Sequence, residues 1–287
     1  MASIAFLTMD SLDGFVSYDG LVRDILRERS FRVDEISWRA ADAHWDQYDL
    51  VVIRSPWDYQ QACDEFLGVL ARIEASTARL ENSLDIVRWN IQKTYLRQLE
   101  ESGVTIVPTH WVENPSMSQL QQLFEQLGSD DIVIKPVVGA NADDAFWLKP
   151  DSSVEIFRAA EHTFRNRLML AQPFVKSVTT SGEISLIFFA GEYSHSVLKT
   201  PKPGDFRVQE EHGGQIQSFE PDREIIEFAI RTLRNVPGDT LFARVDVVLL
   251  SNNQPALMEV ELIEPSLYLT YNRQSPKRFA DVIDDLL

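Results

Sequence analysis

The sequence predicts an α/β chain whose C-terminal half is α+β, arranged in at least two lobes. Up to about residue 80, apolar β-branched runs such as 4–8 and 50–53 alternate with helical patterns, which is typical of a small parallel sheet. Beyond about residue 165, longer strands such as 184–190 and 193–199 are joined by short turns, which indicates an antiparallel sheet. Of the 287 residues, 44% are hydrophobic, which is enough for a substantial core.

The remaining elements follow from periodicity and from turn residues. Further strands are predicted at 104–107, 132–134, 241–250 and 256–263. The helical patterns lie at 18–29, 63–74, 90–101, 116–127, 153–165, 222–234 and 276–287. Ser116 and Asp222 are placed to cap two of these helices. The stretch 200–214 is rich in proline and glycine and is predicted to be a loop.

Composition and charge exclude several classes of function. The chain carries 27 basic and 44 acidic residues, a net charge of −17, so we expect no nucleic-acid partner. No run approaches the roughly 18 apolar residues of a membrane span, so no membrane partner is expected either. A single cysteine, Cys63, rules out an internal disulfide and favours a reducing compartment. We therefore expect a cytoplasmic protein.

Several common catalytic motifs are missing from the sequence. There is no phosphate-binding P-loop, no dinucleotide fingerprint, no serine nucleophile elbow and no zinc-protease helix. The five histidines stand singly. The chemistry must therefore come from residues outside these motifs.

The most unusual feature is a pair of apolar strands that carry charge. Arg244 and Asp246 lie two apart in one strand, and Glu259 and Glu261 lie two apart in the next, so each pair shares a face. If the strands form a hairpin, three carboxylates and one guanidinium meet. Such a cluster needs a cation, and Mg²⁺ bound to nucleotide phosphates would serve. The alternative is an ordinary solvated sheet face.

Three basic residues could meet phosphates. Lys135 ends an apolar strand just before Pro136, and Lys93 lies on a predicted helix. Arg207 lies in the loop 200–214, where glycines permit close backbone approach. The alternatives are solvated surface lysines and an ordinary loop salt bridge for Arg207.

Together and in this order, these residues resemble the ATP-grasp superfamily, in particular its carboxylate–amine ligases of the RimK and glutathione-synthetase type. The runs RSPWDY at 54–59, WN at 89–90 and EVELIEP at 259–265 are most similar to the group that contains the cycloserine-forming ligase. The resemblance spans nearly the whole chain. It implies an N-terminal α/β lobe (1–88), a central ATP-grasp subdomain (89–175) and an antiparallel C-terminal subdomain with the metal site (176–287).

The resemblance also implies which residues bind ATP. Lys93 and Lys135 would hold phosphate oxygens, Glu183 would bind the ribose hydroxyls, and Arg207 would meet the terminal phosphate. The residues implied to surround the adenine are Gln172, Phe174 and Val175.

The metal positions implied by the resemblance are Asp246, Glu259 and Glu261, for one or two Mg²⁺ ions, with Mn²⁺ as an alternative. Arg244 would stabilise the acyl phosphate. Glu261 stands where the family commonly has asparagine, so its extra charge would be balanced by a second Mg²⁺, by Lys199 or by Lys202. The phosphate-covering loop, glycine-rich in the family, here spans 137–144 and holds one glycine.

The substrate is expected at the segment 54–59, because it directly follows the predicted strand 50–53. Arg54 would pair with a substrate carboxylate, and the aromatic residues would shape a pocket beside an amine. The predicted substrate residues are Arg54, Ser55, Trp57, Asp58 and Tyr59. Alternatively, Trp57 and Tyr59 attach the lobe to its neighbour while Asp58 caps a helix.

The function implied is that of an ATP-dependent ligase. It would join a carboxylate to an amine through an acyl phosphate, release ADP and phosphate, and act on a small amino-acid-like molecule. Two alternatives stay open: an intramolecular cyclo-ligase of an amino-acid derivative, and a non-catalytic nucleotide-binding protein of the same fold. A homodimer also stays open.

Overall fold

The computed structural model describes residues 1–139 and 142–287. Its N-terminal lobe contains the predicted parallel sheet, in the order β2-β1-β3-β4. Both faces of β1 and β3 are buried, because α1 and α9 cover one face and α2 covers the other. The elements named are β1 (Ser3–Thr8), α1 (Asp19–Glu28), β2 (Arg32–Ser37), β3 (Leu50–Ser55), α2 (Cys63–Glu74), β4 (Arg79–Glu81) and α9 (Ser275–Asp284).

The central part of the chain forms a four-stranded antiparallel sheet in the order β5-β8-β6-β7. Two helices pack on it around a core that includes Leu123 and Phe157. Ser116 caps the first of them in a capping box with Gln119, as predicted. The elements are β5 (His110–Glu113), α5 (Met117–Leu127), β6 (Ile132–Pro136), β7 (Phe146–Leu148), α6 (Val154–Thr163) and β8 (Leu168–Pro173).

The C-terminal part forms the predicted antiparallel sheet, in the order β11-β10-β9-β12-β13. Its two central strands, β9 and β12, are almost entirely buried. The elements are α7 (Ser177–Thr180), β9 (Glu183–Phe189), β10 (Glu192–Thr200), β11 (Gln215–Ser218), α8 (Arg223–Leu233), β12 (Phe242–Leu249) and β13 (Pro255–Glu261).

Polar side chains join the N-terminal lobe to the C-terminal sheet. The buried Asn82 amide donates to the carbonyl oxygens of Phe242 and Leu262, at 3.0 and 2.7 Å, and accepts from the Leu241 N–H at 2.7 Å. Asn90 makes a similar pair of bonds across to β13 and the residue after it. Because these amides satisfy buried main-chain groups, they fix the lobe against the sheet.

The structure corrects several sequence-based predictions. The helix predicted at 90–101 is helical only from residue 95, as α4 (Tyr95–Glu101), because an unpredicted helix, α3 (Leu84–Asn90), ends at the first residue of the predicted range and the break between the two contains Lys93. The strand predicted at 104–107 is irregular apart from one bridge between Ile106 and Leu257. Asp222 precedes α8 as predicted, although its side chain makes no capping hydrogen bond. Within the described residues, no helix has both the length and the apolar character needed to cross a membrane.

Candidate active site

A cleft of about 210 Å³ lies where the central and C-terminal sheets meet the N-terminal lobe. It is lined from β6, β8, β9, β10, β12 and β13 and from loops that follow β1 and β3. Most of the predicted site residues lie in its wall. They are Trp57, Tyr59, Lys93, Lys135, Gln172, Phe174, Val175, Glu183, Lys199, Arg207, Arg244, Asp246, Glu259 and Glu261.

The predicted acidic hairpin is present and faces this cleft. β12 pairs with β13 so that Arg244 lies opposite Glu261 and Asp246 lies opposite Glu259. Asp246 is only 3% exposed, and Ser185 on the neighbouring strand β9 donates a hydrogen bond to it at 2.5 Å. The alternative of an ordinary solvated sheet face is therefore wrong.

Cationic side chains already neutralise the carboxylates of the hairpin. Arg244 contacts Asp246 through Nε and Nη2, at 3.1 and 3.0 Å, and also pairs with Glu261. Lys199 pairs with Glu183 at 2.5 Å and with Asp246 at 3.3 Å. Each acid thereby loses much of the cost of burial.

The side chain that balances the negative charge of Glu261 is not one of the two lysines that were expected to do so. Its partner is Arg244, whereas Lys199 pairs with Glu183 and Asp246. Lys202 lies 3.7 Å from the Asp205 carboxylate in the loop instead. The arginine two residues before Asp246 can reach both acids because it shares their face of the hairpin.

Burial raises the pKa of each of these acids, and the neighbouring charges decide the outcome. At Asp246, burial is outweighed by Arg244 and Lys199, which hold the pKa below its usual range. At Glu259, burial is outweighed by Lys93 and Lys135, so the pKa is again lowered. At Glu261, burial and the negative charges nearby raise the pKa to about 7 despite Arg244.

Lys93 and Lys135 face the cleft from two different elements. Lys93 is 9% exposed, and its ammonium contacts Glu259 and the Gly139 carbonyl, each at 2.7 Å, so it is not a solvated surface residue. Burial lowers the pKa of Lys135, whose Nζ lies 3.8 Å from the sulfur of Met258. Among the described residues no carboxylate lies within ion-pair distance of Lys135, so this cation retains bonding capacity toward a ligand.

Aromatic side chains form one end of the cleft. The ring of Phe174 stacks on Trp147 with centroids 4.6 Å apart, and Phe206 meets Trp147 edge-on at 6.0 Å. Nearby, the buried Gln172 amide donates to the Thr109 hydroxyl at 3.0 Å. The result is a flat apolar wall beside polar groups, which suits a heterocyclic base.

Arg207 lies both in a salt bridge and in the cleft wall. Its guanidinium donates twice to Asp205, at 3.0 and 2.8 Å, so the loop salt bridge is confirmed. The pair lowers the pKa of Asp205. The phosphate-covering loop predicted at 137–144 includes residues 140 and 141, which lie outside the described residues.

The opposite end of the cleft is formed by Trp57 and Tyr59. The indole N–H of Trp57 donates to the Glu264 carbonyl at 2.8 Å, and its ring lies 5.4 Å from that of Phe15. Tyr59 stacks on Phe66 in the core of the N-terminal lobe, with centroids 4.8 Å apart. Trp57 thus attaches the lobe to the segment after β13, Tyr59 packs in the lobe's own core, and both residues line the cleft.

Arg54, predicted to bind a substrate carboxylate, lies outside the cleft wall. It is 2% exposed, and its Nε donates to Asp19 at 2.9 Å. Its Nη2 reaches the Pro265 carbonyl at 3.4 Å, and its guanidinium lies 5.0 Å from the centre of the Phe242 ring. Because these contacts occupy the guanidinium, the structure does not support the predicted role of Arg54 in binding a substrate carboxylate.

Ser55 and Asp58 also lie outside the cleft wall. The Ser55 hydroxyl donates to the Thr8 hydroxyl at 3.0 Å, between β3 and β1. The Asp58 carboxylate accepts from the Trp38 indole at 2.7 Å and from Arg39 at 3.1 Å, and it makes no helix-capping hydrogen bond. Both side chains make contacts within the lobe, so the structure does not support their predicted role in substrate binding either.

The sequence analysis missed several residues of the wall. Glu264, Ser266 and Tyr268 follow β13 and line the cleft, and Trp147 stands behind Phe174. Glu264 lies in the quoted run 259–265, yet no strand periodicity could place it because it follows the end of the strand. Tyr268 has a positive φ of 47°, which turns the chain back over Arg244, with its ring 5.6 Å from the guanidinium carbon.

The acids of the hairpin have the chemistry of a magnesium or manganese site, since both ions prefer carboxylate oxygens. Among the described residues, however, no three His, Cys, Asp or Glu side chains are arranged to hold a metal ion. The hairpin acids are turned toward Lys93, Lys199 and Arg244 instead. A divalent cation that binds the hairpin acids would therefore have to displace these cationic side chains from them.

Comparison with known proteins agrees with the fold. Residues 92–272 match the family described as prokaryotic glutathione synthetase, ATP-grasp domain, and residues 4–82 match the N-terminal domain of D-cycloserine synthetase DcsG. The cycloserine biosynthesis protein DcsG of Streptomyces lavendulae is 28% identical over 297 residues, which cover 99% of each chain.

Solved structures give the same result. The crystal structure of D-cycloserine synthetase DcsG covers 100% of both chains at 26% identity, with a TM-score of 0.88. The D-alanine–D-alanine ligase of Bacillus anthracis shares the fold, with 12% identity, coverage of 99% and 95%, and a TM-score of 0.68. The chain belongs to the ATP-grasp family, and it is an ATP-dependent ligase that joins a carboxylate to an amine.

Proposed function

We propose that this ligase uses Mg²⁺ and ATP to phosphorylate the carboxylate of a small amino-acid-like substrate and then joins the acyl group to a nitrogen. The observation that carries the proposal is a single cleft with three zones. An aromatic slot lies at one end, the lysines and hairpin acids lie in the middle, and Trp57 and Tyr59 lie at the other end.

The nucleotide would lie with its base at the aromatic end. Phe174 and Val175 supply apolar contact, and the Gln172 segment supplies polar main-chain groups at the edge of the base. Glu183, beside Lys199, would accept hydrogen bonds from ribose hydroxyls.

The phosphates would meet the two cleft lysines and the loop arginine. Lys135 has no carboxylate partner among the described residues and is therefore the cation most ready to hold a phosphate oxygen. Lys93 and Arg207 would add further positive charge after leaving Glu259 and Asp205. Cations placed in advance around a transferring phosphoryl group stabilise it electrostatically.

Asp246, Glu259 and Glu261 would hold one or two Mg²⁺ ions, and Mn²⁺ would replace them. When bound, the metal neutralises phosphate charge and orients the transferring group. The chain's own residues do the rest. Arg244, which already joins Asp246 to Glu261, would turn toward the acyl phosphate and stabilise its negative charge.

The reaction needs no protein nucleophile. A substrate carboxylate oxygen attacks the terminal phosphorus and ADP leaves; the nitrogen then attacks the acyl carbon, phosphate leaves with the bonding electrons, and the nitrogen loses a proton. Cys63 and His195 are not part of the cleft wall, and His195 is occupied by the Leu267 carbonyl at 3.0 Å.

Ring closure within one substrate is a second candidate. The match of residues 4–82 to the N-terminal domain of D-cycloserine synthetase favours it, because this lobe forms the substrate end of the cleft. In that case the nitrogen and the carboxylate belong to the same amino-acid derivative.

A screen for ADP release across amino acids and small dipeptides, with Mg²⁺ and with Mn²⁺, tests the proposal. Hydroxylamine in a parallel series would trap the acyl phosphate as a hydroxamate. Product mass distinguishes coupling from ring closure, since ring closure joins no second substrate. Nucleotide binding without ADP release in any mixture would contradict the proposal that the substrate is a small amino-acid-like acid.

A further inference from the structure

Glu264 differs in its partners from the acids at the centre of the cleft. Glu183, Asp246, Glu259 and Glu261 each pair with a lysine or an arginine. Within residues 1–139 and 142–287, no cationic side chain lies within ion-pair distance of the Glu264 carboxylate. Its contacts are neutral: the Gln60 amide at 3.4 Å and the Tyr59 hydroxyl.

The main chain fixes Glu264 at the substrate end of the cleft. The Trp57 indole holds its carbonyl oxygen at 2.8 Å, and the same indole packs against Phe15. Glu264 therefore contacts Trp57 through its carbonyl oxygen and Tyr59 through its carboxylate, and Phe15 packs against Trp57; all three aromatic side chains line the cleft.

A carboxylate in this position is poorly compensated. Burial and the negative charge of Glu261 raise the pKa of Glu264 to about 8. A cation bound beside it would remove this penalty, because an opposite charge stabilises the ionised form.

We propose that Glu264 binds the ammonium group of the substrate, so that the enzyme selects acids that also carry a cationic nitrogen. This inference rests on the proposed function, in which the substrate carboxylate lies near Arg244 and the phosphates. The substrate then spans from Arg244 to Glu264, both of which line the same cleft. A zwitterionic amino acid matches this pair of opposite charges.

Glu264→Gln tests the ammonium site, since it removes the charge and keeps the shape. We expect the KM for the amino acid found active in the screen to rise roughly 10- to 100-fold, as for loss of a charged hydrogen bond. The KM for ATP stays within about twofold. The deamino analogue, traced by hydroxamate formation, shows the same KM in variant and wild type.

A matched variant, Glu192→Gln, changes an exposed glutamate at the start of β10 and is expected to leave both KM values unchanged. Thermal melting checks the fold of each variant. Calorimetric titration of wild type and Glu264→Gln with the amino acid in the presence of ADP gives a second readout, in which only the wild type binds well.

Two results separate the two proposals. Wild-type protein that releases no ADP with any acid contradicts the proposed function, and calorimetric titration with each amino acid of the screen in the presence of ADP then tests Glu264 alone. Wild-type activity with an unchanged amino-acid KM in Glu264→Gln, or an equal rise for the deamino analogue, overturns only the ammonium site.

Discussion

The Tyr271 hydroxyl donates a hydrogen bond to the Glu210 carboxylate at 3.1 Å, and the Tyr18 hydroxyl reaches the same carboxylate at 3.2 Å. Glu210 belongs to the loop between β10 and β11 that also carries Arg207. Tyr18 directly precedes α1, and Tyr271 follows β13. One carboxylate therefore holds the loop to two distant parts of the chain.

The first prediction concerns this loop. The double variant Tyr18→Phe, Tyr271→Phe removes both donors to Glu210, each worth roughly 1.5–3 kcal/mol as a bond to a charged group. We expect trypsin to cleave after Arg207 more than about tenfold faster, since roughly 1.4 kcal/mol corresponds to a factor of ten. The control Tyr193→Phe removes a hydroxyl bonded to Ser196 at 2.9 Å, outside the cleft wall. Equal cleavage rates in the double variant and the wild type would show that the phenols do not hold the loop.

The second prediction concerns the hairpin acids. Asp246→Asn and Glu259→Gln are each expected to abolish turnover, because each removes a charge from the proposed metal site. The fold should persist, since Arg244 and Lys199 keep the partners Glu261 and Glu183 after Asp246→Asn. Assays of ADP release and circular dichroism measure the two effects. Full activity in both variants would refute the metal assignment.

The third prediction concerns Arg54, which serves stability and not substrate binding. Arg54→Met leaves Asp19 buried without its 2.9 Å partner, so we expect a loss of about 3–5 kcal/mol in the free energy of unfolding. The double variant Arg54→Met, Asp19→Asn should lose clearly less. Urea denaturation of both variants and of Asp19→Asn completes the cycle. A raised amino-acid KM at unchanged stability would restore the substrate role.

The fourth prediction concerns pH and the buried His195. Its Nε2–H donates to the Leu267 carbonyl at 3.0 Å, and burial lowers the pKa to about 4 from 6.5. Between pH 6.5 and pH 4, the His195 side chain binds a proton in the unfolded chain and stays neutral in the folded chain. The contribution of His195 to the free energy of unfolding is therefore full above pH 6.5 and is lost as the pH falls toward 4. The total is up to about 3 kcal/mol.

Urea denaturation at pH 7.5, 6 and 5 measures this dependence. In His195→Gln the loss of stability on acidification should be smaller than in the wild type. His110→Gln, which changes an exposed histidine on β5, should behave like the wild type. Parallel curves for wild type and His195→Gln would contradict the assignment.

The sequence predicted those parts of the fold that depend on local pattern. The parallel sheet, the antiparallel C-terminal sheet and the β12–β13 hairpin follow from apolar alternation. The helix predicted at 90–101 failed because Lys93 turns into the cleft between α3 and α4. Periodicity alone does not show such a break, since Ile91 and Tyr95 keep the i, i+4 spacing of apolar residues across it.

The site was predictable where residues lie on strands and not where they lie on loops. Asp246 and Glu259 share a face by strand geometry, so their meeting could be deduced. Arg54 is an exception on a strand: it lies one residue before the end of β3, and its burial against Asp19 depends on where α1 packs. The position of Glu264 in the cleft could not be predicted from the sequence, because it depends on the path of the chain after β13, which tertiary packing determines.

Asn82, near the predicted boundary at residue 88, satisfies three main-chain groups of the C-terminal part of the chain. A graft that transplants the first lobe from a relative must therefore bring a side chain that supplies the same donor and acceptor atoms. Without that side chain, two main-chain carbonyl groups and one main-chain N–H of the recipient would be buried without hydrogen-bond partners. The design of a chimera of these ligases must therefore preserve the hydrogen bonds of Asn82. Choosing a junction near residue 88 is not sufficient by itself.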